Sequence, residues 1–255
     1  MKIINAQTPD HQYVRETMIP TLLSFAKENR GYDDSYSIFE IGHTVEGFKE
    51  NGYCNEYKKL GAVLYSKSAT EEELFLEARD AVLELCEDIL HVTPEFASAE
   101  AKYDFQHPVN TFNVLLEGRV VGFISVPHPV VLENIDKKCA VAFFELTTEK
   151  FAETKVQKTV YSEPSKFPAI EIDMTYIADV SAINFAGLTA TAKAAAGEML
   201  SDVRVQDIYT QDGTSAITLR FSFLSKERTL TKQELAPLCD KINEALAGLN
   251  ITLKS

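Results

Sequence analysis

No stretch of this 255-residue chain reaches the roughly 18 consecutive apolar residues that a membrane-crossing helix needs. Its first residues, Met1-Lys2-Ile3-Ile4-Asn5-Ala6-Gln7, turn polar too soon for a secretory signal. Cysteine is scarce and scattered. Cys54, Cys86, Cys139 and Cys239 include no C-x-x-C pair, which points to free thiols in a reducing cytoplasm and away from a metal centre. Positive charge is also short: 25 Lys and Arg stand against 38 Asp and Glu, a net charge of −13. That balance excludes a general nucleic-acid coater, which needs a basic surface. The deficit is uneven, with nine basic and twelve acidic residues in 162–255 and the remaining net −10 before them. Any RNA contact in the last part is therefore local, and weak without a partner. Phosphate-binding G-x-x-x-x-G-K-[ST] and G-x-G-x-x-G loops are absent, as is the G-x-S-x-G nucleophile turn.

The length suits one large or two small domains. In the last ninety or so residues the pattern is clearest. Residues 169–176 alternate, with Ile170, Ile172, Met174 and Tyr176 on one face and Glu171, Asp173 and Thr175 on the other. Ser181 can cap an Ala-rich helix that Gly197 closes. Residues 203–210 read as a second strand, Gln211-Asp212-Gly213 as a turn, and 215–223 as a third strand with Ile217, Leu219, Phe221 and Phe223 together. Thr231-x-x-Glu234 is a capping box opening a helix whose stripe is Leu235, Leu238, Ile242 and Leu246. Ile251 and Leu253 end the chain in a short strand. Strand, helix, strand, strand, helix, strand is the ferredoxin-like plan.

The first 160 residues read as mixed α and β. A helix runs within 13–29 after Pro20, strands lie at 36–45 and 60–65, and a capping box at Thr70 or Ser68 opens an amphipathic helix. That helix is expected to turn Leu74, Ala78, Ala81, Leu85 and Ile89 inward, and Glu71 to Glu73 suit its positive end. Residues 112–117 and 119–126 form a hairpin about Glu117-Gly118, 141–146 form another strand, and 149–165 read as a linker.

Specific segments carry a resemblance. Lys166-Phe167-Pro168-Ala169, Asp173, Asp207-Ile208-Tyr209 and Arg228-Thr229-Leu230-Thr231 stand in the order and spacing of the ferredoxin-fold anticodon-binding (FDX-ACB) domain. That domain ends the β subunit of bacterial phenylalanyl-tRNA synthetase. The run from Val14-Arg15 through Pro20 to Leu22-Leu23, Ile38-Phe39-Glu40-Ile41-Gly42, the hairpin from Gly118 to Ile124 with His128-Pro129, and Phe143-Phe144-Glu145-Leu146 resemble the same subunit's class II synthetase-like module. In that family the module has lost catalysis. The resemblance implies an α+β chain: a partial class II synthetase-like antiparallel sheet with helices over 1–160, then a ferredoxin-like β-α-β-β-α-β domain over 161–255. The family's long N-terminal tRNA-binding and editing domains have no counterpart here. The synthetase-like module begins part-way through, as expected of a piece of a longer protein or of a short stand-alone relative.

The same resemblance implies a cytoplasmic, non-catalytic component of phenylalanine-tRNA ligase. Its partners would be the catalytic α subunit and the anticodon stem of tRNA(Phe), and ATP and Mg would belong to the α subunit, with no cofactor held by this chain. The residues agree on catalysis. A class II ligase aims arginines of two motifs at ATP phosphates, yet none occurs between Arg30 and Arg79 or between Arg119 and Arg204. Glu40 and Glu145 could be imagined as an acid and base pair, and His107 and His128 as metal ligands with Glu145. Carboxylates satisfied by neighbours, and His-Pro bends, are the better reading, and Cys86 reads as a small core residue. No catalytic residue and no metal ligand is assigned.

The open sheet face of the ferredoxin-like part should carry Glu171, Asp173, Thr175, Arg204, Gln206, Thr218, Arg220, Ser222, Thr252 and Lys254. Its RNA-binding candidates are Arg204 and Arg220 on the face, with Lys166, Lys226, Arg228 and Lys232 around the edge. Two departures from the family weaken that face. Glu171-Ile172 stand ahead of Asp173 where arginine is common, and Lys254-Ser255 replace a C-terminal arginine. They keep open an alternative, a stand-alone paralogue that binds a protein or small ligand outside aminoacylation.

Overall fold

A computed structural model describes the chain apart from residues 1, 7, 9–11, 159, 160, 162, 180, 181, 212, 213 and 255. It divides into two units, Met1–Val160 and Tyr161–Ser255.

The first unit runs α1 (Ile19–Glu28), β1 (Ser35–Phe48), β2 (Cys54–Ser66), α2 (Glu71–Leu90), β3 (Glu95–Ser98), β4 (Gln106–Leu116), β5 (Arg119–Pro127), α3 (Pro129–Ile135), β6 (Ala140–Thr147) and α4 (Thr148–Ala152). The strands form one antiparallel sheet in the order β1-β2-β6-β5-β4-β3. Period-two alternation gives it two apolar faces. Ala62 and Leu64 of β2 join Ala142, Phe144 and Leu146 of β6 under α2. Val63, Tyr65, Val141 and Phe143 point the other way, onto Met18, Ile19, Leu22 and Leu23 around α1. That helix sits close because Gly61 lies beneath it: a Cβ there would come within 3.2 Å of Leu22 Cδ1 and Met18 Cε.

Thr70, not Ser68, caps α2, accepting the Glu73 amide at 3.2 Å while Glu73 Oε2 takes the Thr70 amide at 2.8 Å. The buried stripe of α2 is Leu74, Ala78, Val82, Cys86 and Leu90, with Leu85 partly buried against the same core, which corrects the expected Ala81 and Ile89. A strict i+4 spacing advances about 40° per step on a 3.6-residue helix, so the stripe winds along the twisted sheet. Ile89 is left 52% exposed. The β4–β5 hairpin closes on Glu117 (φ 51°) and Gly118 (φ 73°), a two-residue turn with both centres left-handed. The expected linker over 149–165 begins as helix: α4 is pinned to β2 by Glu149 Oε1 accepting the Lys58 amide at 2.8 Å, and Thr148 Oγ1 donates to the Lys58 carbonyl at 2.9 Å.

The second unit runs β7 (Ile170–Ile177), α5 (Phe185–Ala196), a 3-10 turn (Gly197–Met199), β8 (Leu200–Gln211), β9 (Thr214–Phe223), α6 (Lys232–Ala247) and β10 (Thr252–Leu253). Its sheet order, β10-β7-β9-β8, is the ferredoxin-like one. Tyr176, Ile217, Leu219, Phe221 and Phe223 pack one face against Leu188 and Ala192 of α5 and Leu235, Ile242 and Leu246 of α6. Burying the Tyr176 ring leaves its hydroxyl to donate to Asn243 Oδ1 at 2.7 Å, tying β7 to α6. Asn184 is the cap of α5, accepting the Gly187 amide at 3.2 Å. Ser181, the expected cap, and Asp212-Gly213 of the expected turn lie outside the described residues. Among the described residues, no helix is long and apolar enough to cross a membrane.

Candidate functional site

Apolar packing of the second unit leaves its other sheet face polar. Arg220 lies opposite Asp173 across β7–β9 and opposite Arg204 across β8–β9. Its guanidinium grips Asp173 with two parallel bonds, Nε to Oδ1 at 2.7 Å and Nη2 to Oδ2 at 2.8 Å. Nη1 adds Glu171 Oε2 at 3.3 Å. The hydrogen bonds from Arg220 hold the Asp173 carboxyl below the usual carboxylate range. Arg204 turns along its own strand to Asp202, Nε to Oδ2 at 2.5 Å. The β8 register shifts between Val205 and Asp207, so Gln206 is the extra residue of a bulge and Asp207 takes the place opposite Thr218.

The edge candidates fall into two groups. Lys166 and Lys226 line a shallow cavity of about 180 Å³ with Glu163, Pro164 and Ser165, and Lys166 Nζ reaches Glu163 Oε1 at 3.3 Å. Arg228 and Lys232 flank the start of α6. Arg228 clamps Glu234 through Nη1 to Oε2 at 3.0 Å and Nη2 to Oε1 at 2.7 Å. Glu234 Oε2 also takes the Thr231 amide at 2.9 Å. The Arg228 bonds first, then those from Thr231, hold the Glu234 carboxyl down at about 2. Arg204, Arg220 and Arg228 are all the arginines of 161–255, and each is held by a carboxylate.

In the first unit the imagined set of Glu40, His107, His128 and Glu145 is not assembled, because each member is committed elsewhere. Glu40 accepts both Arg15 Nη2 at 2.6 Å and Nη1 at 3.1 Å. Gly42 makes room for that pair, since a Cβ there would meet Arg15 Nη2 at 2.5 Å and Glu40 Oε1 at 2.7 Å. His107 Nδ1 accepts the Val109 and Asn110 amides at 3.1 and 3.0 Å. His128 Nδ1 accepts the Val130 amide at 3.3 Å and so caps α3. Among the described residues, no group of three or more His, Cys, Asp or Glu is placed to hold a metal ion.

Glu145 is buried. Its Oε2 accepts Thr17 Oγ1 at 2.8 Å and the Met18 amide at 2.7 Å, and its Oε1 accepts Lys59 Nζ at 3.0 Å. Lys59, only 5% exposed at its side chain, also donates to Glu46 Oε1 at 2.7 Å and the Glu16 carbonyl at 2.9 Å, which uses all three ammonium protons. Burial alone would lower the Lys59 pKa, but the charges and bonds of Glu145 and Glu46 outweigh it and raise the value. This network floors a cleft of about 150 Å³ walled by Tyr103, Phe123, Lys102 and Lys150. No arginine is among the described residues that line it. Sequence reasoning missed Lys59 and Glu46. The available signal was alternation along β2, which puts Lys59 on the face of Val63 and Tyr65; Thr17, in a loop, gave none.

Comparison with known proteins adds to this geometry. The family described as "Phenylalanyl tRNA synthetase beta chain CLM domain" matches residues 1–148, and "Ferredoxin-fold anticodon binding domain" matches 165–254. A phenylalanine–tRNA ligase beta subunit of Aquifex aeolicus is 31% identical over 251 residues, covering 95% of this chain and 31% of that protein. One from Syntrophus aciditrophicus is 27% identical over 253 residues with the same coverages, and one from Bacillus subtilis is 26% identical over 249 residues, covering 93% and 31%. The chain thus spans less than a third of the length of these relatives. A solved pyrrolysyl tRNA synthetase of Desulfitobacterium hafniense overlaps 58% of this chain and 54% of its own at 17% identity and a TM-score of 0.44. Two family domains in tandem, the first spanning more than half of the residues, establish that the chain belongs to the phenylalanyl-tRNA synthetase beta chain family.

Proposed function

We propose that the chain acts as a non-catalytic part of phenylalanine-tRNA ligase. The synthetase-like unit docks on and supports a catalytic α subunit, and the ferredoxin-like unit contacts the anticodon stem of tRNA(Phe). The observation that carries this reading is the tandem order of the two family domains along one chain. The first unit's cleft supports the non-catalytic part: its buried ammonium and carboxylate neutralise each other, and no guanidinium is aimed into it among the described residues. ATP and Mg binding then fall to the α subunit. The RNA-facing side chains are Arg204 and Arg220 on the sheet, with Lys166, Lys226, Arg228 and Lys232 at its margin. Binding of tRNA(Phe) at low and moderate salt, with and without the α subunit, tests the reading. Salt-sensitive binding that tightens with the α subunit, and weakens on Arg220→Ala and Arg228→Ala, is the expected result. No affinity for the α subunit or for tRNA(Phe) would overturn it in favour of an interaction module outside aminoacylation.

A further inference from the structure

The RNA face carries its own competitors. All three arginines of 161–255 are engaged by carboxylates, and two of them, Arg220 and Arg228, are gripped at both ends of the guanidinium fork. A guanidinium fork that fits a carboxylate also fits a phosphate, and it cannot serve both at once. The two clamps differ in what else their carboxylates do. Glu234 closes the capping box of α6, so releasing Arg228 leaves that carboxylate employed by Thr231. Asp173 has no such second task. Among the described residues, its hydrogen bonds both come from Arg220, and it sits on the open face among Thr175, Thr218 and Glu171.

We propose that Asp173, backed by Glu171, is an intramolecular phosphate mimic that holds Arg220 and must yield it before a phosphate of the RNA backbone can bind there. This rests on the tRNA contact proposed above. A clamp of this kind sets affinity low and makes specificity depend on a partner. Only an RNA held in register by other contacts, such as those of a docked α subunit, presents a phosphate long enough to displace the carboxylate. Stray polyanions meet a face whose arginines are already occupied. The exchange moves no proton and breaks no covalent bond: one bidentate ion pair replaces another.

The test compares tRNA(Phe) binding by the full chain and its Asp173→Asn variant between about 50 and 200 mM salt. Glu171→Gln serves as a second variant, and thermal unfolding verifies that each is folded. Asp240→Asn, on an exposed part of α6 across the core from this face, makes the same change in net charge and is the control. Asp173→Asn should tighten binding by about fivefold, the scale of one exposed ion pair released. It should also steepen the salt dependence by about one unit, because one more phosphate is neutralised. The gain should vanish in Asp173→Asn combined with Arg220→Ala, and Asp240→Asn should not reproduce it. Tightening that equals the Asp240→Asn effect, or that persists without Arg220, would show a general charge effect and overturn the clamp while leaving the tRNA contact standing. Unchanged affinity in Asp173→Asn, with Arg220→Ala still weakening the parent, would show that Arg220 meets RNA without release, and would also overturn it. No binding by any variant would remove the proposed function itself, and this inference with it.

Discussion

Glu234 does two jobs with one carboxylate, closing the capping box of α6 and holding Arg228. Its folded pKa of about 2 lies below the ordinary 4.5. A depressed acid contributes stability that is complete above its unfolded value and is lost as the pH falls through its folded value. Glu234→Gln should therefore lower the thermal midpoint at pH 7 and flatten the decline between pH 4.5 and about 2. Parallel curves for parent and variant over that window would show that Glu234 is not responsible. Gly122 shows a different kind of demand. A Cβ there would meet the Glu145 carbonyl oxygen at 2.1 Å and Leu146 Cα at 2.9 Å, which are backbone atoms of the paired strand β6. Gly122→Ala must push β5 off β6, and chemical denaturation should show a loss of about 3 kcal/mol. At Gly42, by contrast, the three nearest atoms all belong to side chains, the ends of Arg15 and Glu40 and Met18 Sδ. Gly42→Ala should shift those and cost about 1 kcal/mol.

At the scale of elements, the buried Lys59–Glu145 pair fastens the entry of α1 to the middle of the sheet. Buried pairs of this sort rarely add net stability over apolar replacements, but losing one partner strands the other. Lys59→Met should destabilise the first unit by about 3 kcal/mol, and adding Glu145→Leu should recover part of that loss. A double variant worse than Lys59→Met alone would mean that the Glu145 bonds to Thr17 and Met18 matter more than its charge. The elements also show where sequence reading succeeds and where it stops. Alternation in β7 and β9 and the capping boxes at Thr70 and Thr231 were legible because each is a local rule with residues at fixed offsets. The α2 stripe was misplaced by one residue at Ala81 and Ile89, because the twist of the sheet beneath it is not written in the helix. The β8 bulge at Gln206 is a matter of pairing with β9, and strand alternation alone does not reveal it. Short α3 and α4 depend on contacts made from outside themselves, as when Glu149 and Thr148 reach Lys58.

For the whole molecule, a net charge of −13 opposes any polyanion. Binding of tRNA(Phe) to the chain alone should be detectable at about 50 mM salt and fall steeply by about 200 mM, and the α subunit should restore it. Filter or fluorescence titrations at both salts would measure this, and binding indifferent to salt would contradict a phosphate-led contact. Arg204 and Arg220 were legible as basic positions on one sheet face of the second unit, but their engagement was not. Asp202 lies two residues from Arg204 and Glu234 six from Arg228, whereas Asp173 is 47 residues from Arg220 and meets it only through strand register. The four thiols are far from equivalent: Cys54 is exposed, Cys86 is buried, and Cys139 and Cys239 are half-buried. Burial pushes the Cys86 and Cys139 thiols up to about 11 and raises that of Cys239. A maleimide dye at neutral pH should therefore attach at a single place, the start of β2 opposite Phe48, with no cysteine removed by mutation. The unaltered chain would then report, through one fluorophore on its long first hairpin, when a partner comes near that end of the sheet.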